Sequence, residues 1–260
     1  MNWSVLDVSI LGPAFLAGLL VVSTHVPLGR EVLRRGIIFI DLAVAQVAGL
    51  GVTIASTLGW AHHGWAVQIS AVVAALLAAG LLNVTERAWP RIQEALIGAM
   101  FVLAATASIL FLSGNPHGGE YLKDLLVGQI LWVNLSTLWP ILIVYAAVLA
   151  TWFGFGDRIG PIGFYAVFAV TVTASVQLVG VYLVFATLIM PALSTRGWTG
   201  GRRLAFSYLL GAAGYGLGLV VSGLADLPSG AVIVWTLAVL GVLTASVRGK
   251  MPLPRGPVES

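Results

Sequence analysis

The sequence predicts an all-α fold: a polytopic transmembrane helical bundle with about 7–9 crossings, including a bent or half-helix segment. Of its 260 residues, 59% are hydrophobic and only 9% are charged, whereas a soluble domain carries about 25% charged residues. Apolar runs long enough to cross a bilayer as helices recur along the chain. The alternating pattern of transmembrane β-strands is absent, and lipid-exposed irregular backbone is excluded, so helices remain.

The apolar runs and the charged loops between them give the order of the spans. The first four predicted spans are residues 8–28, 37–59, 66–84 and 95–113. Residues 121–133 are too short a run, and too charged at their start, for a full crossing. We therefore expect there a short helix that dips into the membrane from the outer face.

The second half of the chain contains one ambiguous run. Residues 138–153 cross back, and a long apolar run over residues 164–193 follows, with basic residues beyond both of its ends. Two full helices do not fit in this run, yet both ends are expected on the cytoplasmic side. We predict two short halves with a bend at Val179 and Gly180, followed by spans at residues 204–223 and 231–247.

Basic residues set the predicted orientation. All of the 13 Lys and Arg residues except Lys123 fall on one side of this tracing, which the positive-inside rule assigns to the cytoplasm. The N-terminus is then outside and the C-terminus inside. Residues 1–250 are predicted to form a single transmembrane domain, with residues 251–260 as a cytoplasmic tail. Because the basic residues are spread singly between apolar runs, the pI of about 9.5 does not indicate nucleic-acid binding.

Catalytic and nucleotide-binding motifs are missing from the sequence. There is no GxxxxGK[ST], GxSxG or HExxH pattern and no cysteine. We predict that the chain is not an enzyme and carries no covalently bound cofactor. If transport is driven by ATP, a separate chain hydrolyses it.

Asp41 is the leading functional candidate. A charged residue at the bilayer centre costs about 2.5–3.5 kcal/mol on insertion scales, so it usually faces the bundle interior or a water-filled path. Gln46 lies five residues later, about 140° around a helix, and could border the same path. The simpler alternative is that Asp41 lies one turn inside the cytoplasmic interface and pairs with Arg34 and Arg35.

Other polar residues are expected in the outer loops, inside the spans and near the inner interface. His62, His63, His117 and Glu120, in outer loops, form either a cation-receiving mouth or solvated loop tips. Gln68 and Asn83 are expected to make interhelical hydrogen bonds. His25, near the inner end of the first span, is expected at the membrane interface.

Three segments resemble the permease subunits of ABC-type zinc, manganese and iron uptake systems. They are PLGREVLRRGIIFIDLAVAQVAGLGV (residues 27–52), VQLVGVYLVFATLIMPALSTR (residues 176–196) and DLPSGAVIV (residues 226–234), with a weaker match at YLKDLLVGQILWV. The family commonly has an Asp followed four residues later by His in its second helix. Aligned from the arginines, Asp41 occupies the Asp position and Ala45 the His position; aligned from Gly51 and Val52, Gln46 replaces the His.

The resemblance implies a permease homodimer in the bacterial cytoplasmic (inner) membrane, two cytoplasmic ATPase subunits and an external metal-binding protein. Asp41 and Gln46 would line the metal path. The outer loops, including Asp226, would meet the binding protein. The expected ATPase-docking residues lie in cytoplasmic segments: Arg87, Asp157, Arg158 and Arg202.

The resulting hypothesis is a permease that imports a divalent transition metal ion: zinc, manganese or iron. One alternative is a permease of the same fold for a chelated or non-metal substrate. A second is a stand-alone secondary transporter or channel that uses Asp41 as a proton relay. A third is a membrane assembly partner without a path, in which Asp41 is fully packed.

Overall fold

The computed structural model describes residues 8–60, 65–115, 118–155 and 158–247. Within these ranges the regular structure is helical, as predicted. The α-helices are α1 (Val8–Arg35), α2 (Ile40–Thr57), α3 (Trp65–Ala88), α4 (Gln93–Leu112), α5 (Gly118–Val127), α6 (Leu135–Phe155), α7 (Pro161–Val179), α8 (Val181–Ser194), α9 (Gly200–Ala225) and α10 (Ser229–Val247). Single 3-10 turns at Pro90–Ile92 and Ile130–Trp132 precede α4 and α6.

Eight of the described helices are long and apolar enough to cross a membrane. The two that are not are α5, the predicted short outer helix, and α8, with 14 residues. The prediction of a polytopic all-α bundle is therefore confirmed. His62, His63, His117, Asp157 and the tail at residues 251–260 lie outside the described residues.

The predicted bend at Val179 and Gly180 is confirmed. Gly180 has a φ of 79° and separates α7 from α8, a conformation that glycine adopts without steric cost. The prediction of two short halves was wrong for α7. It has 19 residues, enough for a full crossing, because the helix begins at Pro161, three residues before the apolar run was judged to start.

The first helix is longer than predicted. Residues 29–35, expected in a loop, form the last two turns of α1. Pro27 cannot donate the hydrogen bond that the Ser23 carbonyl would accept in a regular helix. The Tyr208 hydroxyl of α9 donates to that carbonyl instead, at 3.0 Å, so the helix continues through the proline.

Helix packing places α2 and α7 inside the bundle and leaves α6 on its surface. The helix α2 packs against α3, α4 and α7, while α1 packs against α8 and α9. In α2 and α7, 61% of the spanning residues are buried, against 17% in α6. The helix α6 therefore has the smallest buried fraction of these spans.

The inner end of the bundle is the end that carries the arginines. Arg35, at the end of α1, donates to Glu31 at 2.7 Å and lies 3.8 Å from Glu86 of α3. Its guanidinium also lies 4.3 Å from the centre of the Phe164 ring in α7. One side chain thus joins three helices at this end.

Candidate functional site

A polar cavity opens at the outer end of the bundle. Its volume is about 670 Å³, and it lies between α2, α3, α5 and α7. The polar side chains that line it include two carboxylates and several amides and hydroxyls: Ser56, Thr57, Gln68, Asn115, Glu120, Asp124, Gln129 and Gln177. Carboxylate and amide oxygens are ligands for hard and borderline cations. We call this space the outer cavity.

The helix α5 presents both carboxylates to the outer cavity. Glu120 and Asp124 are four residues apart and so lie on one face of the helix. Like charges at this spacing repel each other, and a cation between them removes the repulsion. Sequence reasoning identified Glu120 and missed Asp124, although the spacing of four residues in a short helix was a usable signal.

The floor of the outer cavity is a close crossing of two backbones. Gly128, with a φ of 72°, lies against Val179 and Gly180, and a Cβ on either glycine would overlap the backbone of the other segment. Gly230 at the start of α10 packs equally close to the Val127 carbonyl. These three glycines, the glycine junction, hold the end of α5 against the break between α7 and α8.

A second space, an apolar groove of about 540 Å³ between α2, α4, α5, α8 and α10, borders the outer cavity at Leu125. Aromatic and aliphatic side chains form its walls, and Gln46 is a polar residue among them. Leu125 lines both spaces and packs against Gly49 of α2, where a Cβ would overlap its methyl group. The Leu125 side chain is therefore common to the walls of the outer cavity and of the groove that contains Gln46.

Asp41 is completely enclosed. It is 0% exposed, and neither carboxylate oxygen has a hydrogen-bond partner among the described residues. Arg34 and Arg35 donate to Glu31 instead, so this is not the predicted alternative in which Asp41 pairs with them. An unpartnered buried carboxylate is costly, and a bound cation or proton would lower that cost. Full burial is also what a purely structural role for Asp41 predicts.

The structure does not place Asp41 and Gln46 in one open path. Gln46 lines the apolar groove, whereas Asp41 lines neither that groove nor the outer cavity. Within the described ranges, no group of three or more His, Asp or Glu side chains could hold a metal ion. Continuity between the outer cavity and Asp41 therefore requires a conformational change.

His25 is not at the interface, where the sequence suggested it. It is fully buried in α1; its Nδ1 lies 2.9 Å from the Val21 carbonyl and its Nε2 has no described partner. Tyr145 and Ser175 form a hydrogen-bonded pair elsewhere in the core, and Tyr215 and Thr187 form another at 2.8 Å. Hydropathy could not reveal that His25 is buried, because Pro27 hides the continuation of α1 beyond it.

The predicted docking residues Arg87, Arg158 and Arg202 are all exposed. Arg87 lies in the last turn of α3, Arg158 precedes α7, and Arg202 lies in the first turn of α9. Asp226, the predicted outer-loop residue, is exposed at the turn between α9 and α10. It does not line the outer cavity.

Comparison with known proteins gives one family. A sequence profile of the ABC 3 transport family matches residues 7–159 and 149–248. A comparison with curated proteins gave no significant match.

Two solved structures share the fold. PsaBC from Streptococcus pneumoniae in complex with Fab superposes with a TM-score of 0.76 at 21% identity, over 94% of this chain and 95% of that one. An inward-facing transporter, provisionally described as a metal-chelate type ABC transporter, gives 0.62 at 16% identity, over 95% and 90% of the two chains. At these identities the likeness shows the fold alone.

Proposed function

The chain belongs to the ABC 3 transport family, and from this premise we propose that it is the membrane permease subunit of an ATP-driven importer for a divalent transition metal ion. The observation that carries the proposal is the family match along nearly the whole chain, together with an outer cavity that contains Glu120 and Asp124. Zinc, manganese and iron are the candidate ions.

In this proposal the outer cavity receives the ion. Glu120, Asp124 and the neighbouring amides attract a cation delivered by an external metal-binding protein. The predicted mouth residues His62, His63 and His117 would add imidazole ligands from the adjoining loops. Displacement of Leu125 would then connect the cavity to Gln46.

Asp41 is proposed to act in the next step. When the helices separate, the Asp41 carboxylate, which has no hydrogen-bond partner among the described residues, would offer both oxygens to a cation. ATP hydrolysis by two cytoplasmic ATPase subunits would drive this opening between two copies of the permease. Arg87, Asp157, Arg158 and Arg202 are the proposed docking residues for those subunits, and the bacterial cytoplasmic membrane is the proposed location.

The test is metal uptake by the complex reconstituted in liposomes. Asp41→Ala and the isosteric Asp41→Asn should each lower uptake at least about tenfold, the effect of about 1.4 kcal/mol. Val44→Ala, which also shortens a buried side chain of α2, is the control and should keep most of the uptake. Co-purification of the ATPase subunits verifies assembly, and undiminished uptake in both Asp41 variants would support the purely structural role.

A second candidate is an importer of the same fold for a chelated metal. It is favoured by the replacement of the family's His by Ala45 or Gln46, and by the lack of a metal-holding group among the described residues. Competition between free and chelated metal in the same uptake assay separates the two substrates. A secondary transporter predicts uptake without the ATPase subunits, so omission of those subunits tests that alternative.

A further inference from the structure

A second cavity, at the inner end, carries the opposite charge. Its volume is about 510 Å³, and four guanidinium groups line it: Arg30, Arg34, Arg196 and Arg203. Among the residues that the structure describes, Glu31 is the one acid in this lining. We call this space the inner cavity.

The positive charge of the inner cavity is not neutralised within the described chain. Glu31 already accepts hydrogen bonds of 2.7 Å from Arg34 and from Arg35. Arg30 and Arg203 repel each other electrostatically. The Nε of Arg203 is buried without a hydrogen-bond partner among the described residues, and its Nη2 makes only a long contact of 3.4 Å to the Ala192 carbonyl. A buried guanidinium nitrogen without an acceptor is unfavourable, so an anion in the cavity would stabilise Arg203.

The walls of the inner cavity indicate what kind of anion fits. Trp152 and Phe153 of α6, together with Leu204 of α9, form an apolar side beside the arginines. Phe153 is 60% exposed, and α6 is the helix with the smallest buried fraction among the spans. Tryptophan at the end of a span is typical of the headgroup level of a bilayer. A ligand with a phosphate and an attached acyl chain would satisfy both sides.

We propose that the inner cavity binds the headgroup phosphate of an anionic phospholipid from the cytoplasmic leaflet. Arg30 and Arg203 would hold the phosphate oxygens, as guanidinium groups do in charge-assisted pairs, while an acyl chain lies against Trp152 and Phe153. Basic pockets between helices on this side of a membrane suit such headgroups. The bound lipid would join α1 to α9 and to the turn after α8.

The ATPase is the competing partner for a basic surface at this end. The exposed arginines proposed for its docking, Arg87, Arg158 and Arg202, do not line the inner cavity, but Arg196 and Arg203 of that lining belong to the same segment as Arg202. The apolar wall on α6 favours a lipid, because an acyl chain can cover the exposed ring of Phe153. If the cavity binds a lipid, neutralising its arginines should reduce lipid retention. If it binds the ATPase, the same change should reduce co-purification of the ATPase.

The experiment measures lipid retention by native mass spectrometry of the purified full chain in neutral detergent. Phosphatidylglycerol and phosphatidylcholine are titrated into the native protein, Arg30→Gln/Arg203→Gln, and the control Arg87→Gln/Arg91→Gln, which removes two exposed arginines outside the cavity. Loss of two basic contacts should weaken phosphatidylglycerol binding about thirtyfold. The control should bind it like the native protein, and phosphatidylcholine should bind weakly to all three.

A charge-conserving variant and a competing anion complete the experiment. Arg203→Lys retains the charge and should keep most of the phosphatidylglycerol, which excludes misfolding as the cause of the loss. Inorganic phosphate at the same concentrations should not displace the lipid. Equal retention of both lipids, displacement by inorganic phosphate, or lost ATPase co-purification with unchanged lipid binding in Arg30→Gln/Arg203→Gln would each overturn the proposal. None of these outcomes depends on metal uptake, so the test is independent of the proposed function.

Discussion

The outer and inner cavities are similar in size and opposite in charge. Among the described residues, the lining of the outer cavity contains two carboxylates and no basic side chain, whereas that of the inner cavity contains four arginines and one glutamate. A cation is attracted to the first and repelled by the second. The charges of the described residues therefore favour a cation in the outer cavity and an anion in the inner cavity.

The two ends are also built differently. The outer cavity rests on chain breaks, since Gly128 and Gly180 allow two backbones to touch at the end of α5. The inner end rests on continuous helix ends joined by Arg35, Glu31, Glu86 and Phe164. A side-chain contact at the inner end can be removed without a steric clash. At the outer end, by contrast, a Cβ on Gly128 or Gly180 would overlap the facing backbone.

Gly180→Ala should have the largest effect, because it disrupts the backbone crossing at the floor of the outer cavity. The methyl group meets the Gly128 backbone, and the φ of 79° is unfavourable for alanine. We expect a loss of about 3 kcal/mol in the free energy of unfolding, measured by denaturant titration in detergent micelles. Gly98→Ala, which adds a methyl group in open space, is the control and should be neutral or slightly stabilising.

Arg35→Gln tests the inner half and should have an intermediate effect. It removes the ion pairs to Glu31 and Glu86 and the contact with Phe164, so we expect destabilisation of about 2 kcal/mol in the same titration. Arg34→Gln is the matched control, because the Arg34 side chain is 76% exposed and also pairs with Glu31. It should cost less than about 1 kcal/mol. Equal losses in the two variants would show that Arg35 does not join the helices.

Glu120→Gln/Asp124→Asn should have the smallest effect. It tests whether the negative charge of the outer cavity attracts the cation. Without the two carboxylates, the outer cavity attracts a divalent cation less strongly, and KM for uptake should rise about fivefold at low ionic strength, with kcat nearly unchanged. The control is Lys123→Gln, which removes a positive charge from the same helix outside the lining. It should lower KM or leave it unchanged. A higher KM in the control would exclude simple electrostatic attraction.

The sequence by itself determined the membrane class, the order of the spans and the break at Gly180. The membrane class and the spans follow from a local quantity, because the transfer free energy of an apolar run is a sum over its residues. The break at Gly180 follows from the basic residues beyond both ends of residues 164–193. Burial of Asp41 was also foreseeable, because lipid exposure of a carboxylate costs too much. The extent of α1 was not, since the acceptor lost at Pro27 is satisfied by Tyr208, a residue distant in the chain.

Only the tertiary structure decided which residues meet. Charge bias placed Arg30 and Arg203 on the same side of the membrane, but nothing in the chain pattern predicted that they share a cavity. The separation of Asp41 from Gln46, and the meeting of Gly128 with Gly180, likewise depend on which helix faces touch. That choice follows from side-chain shape and backbone approach between distant segments, which hydropathy and periodicity do not record.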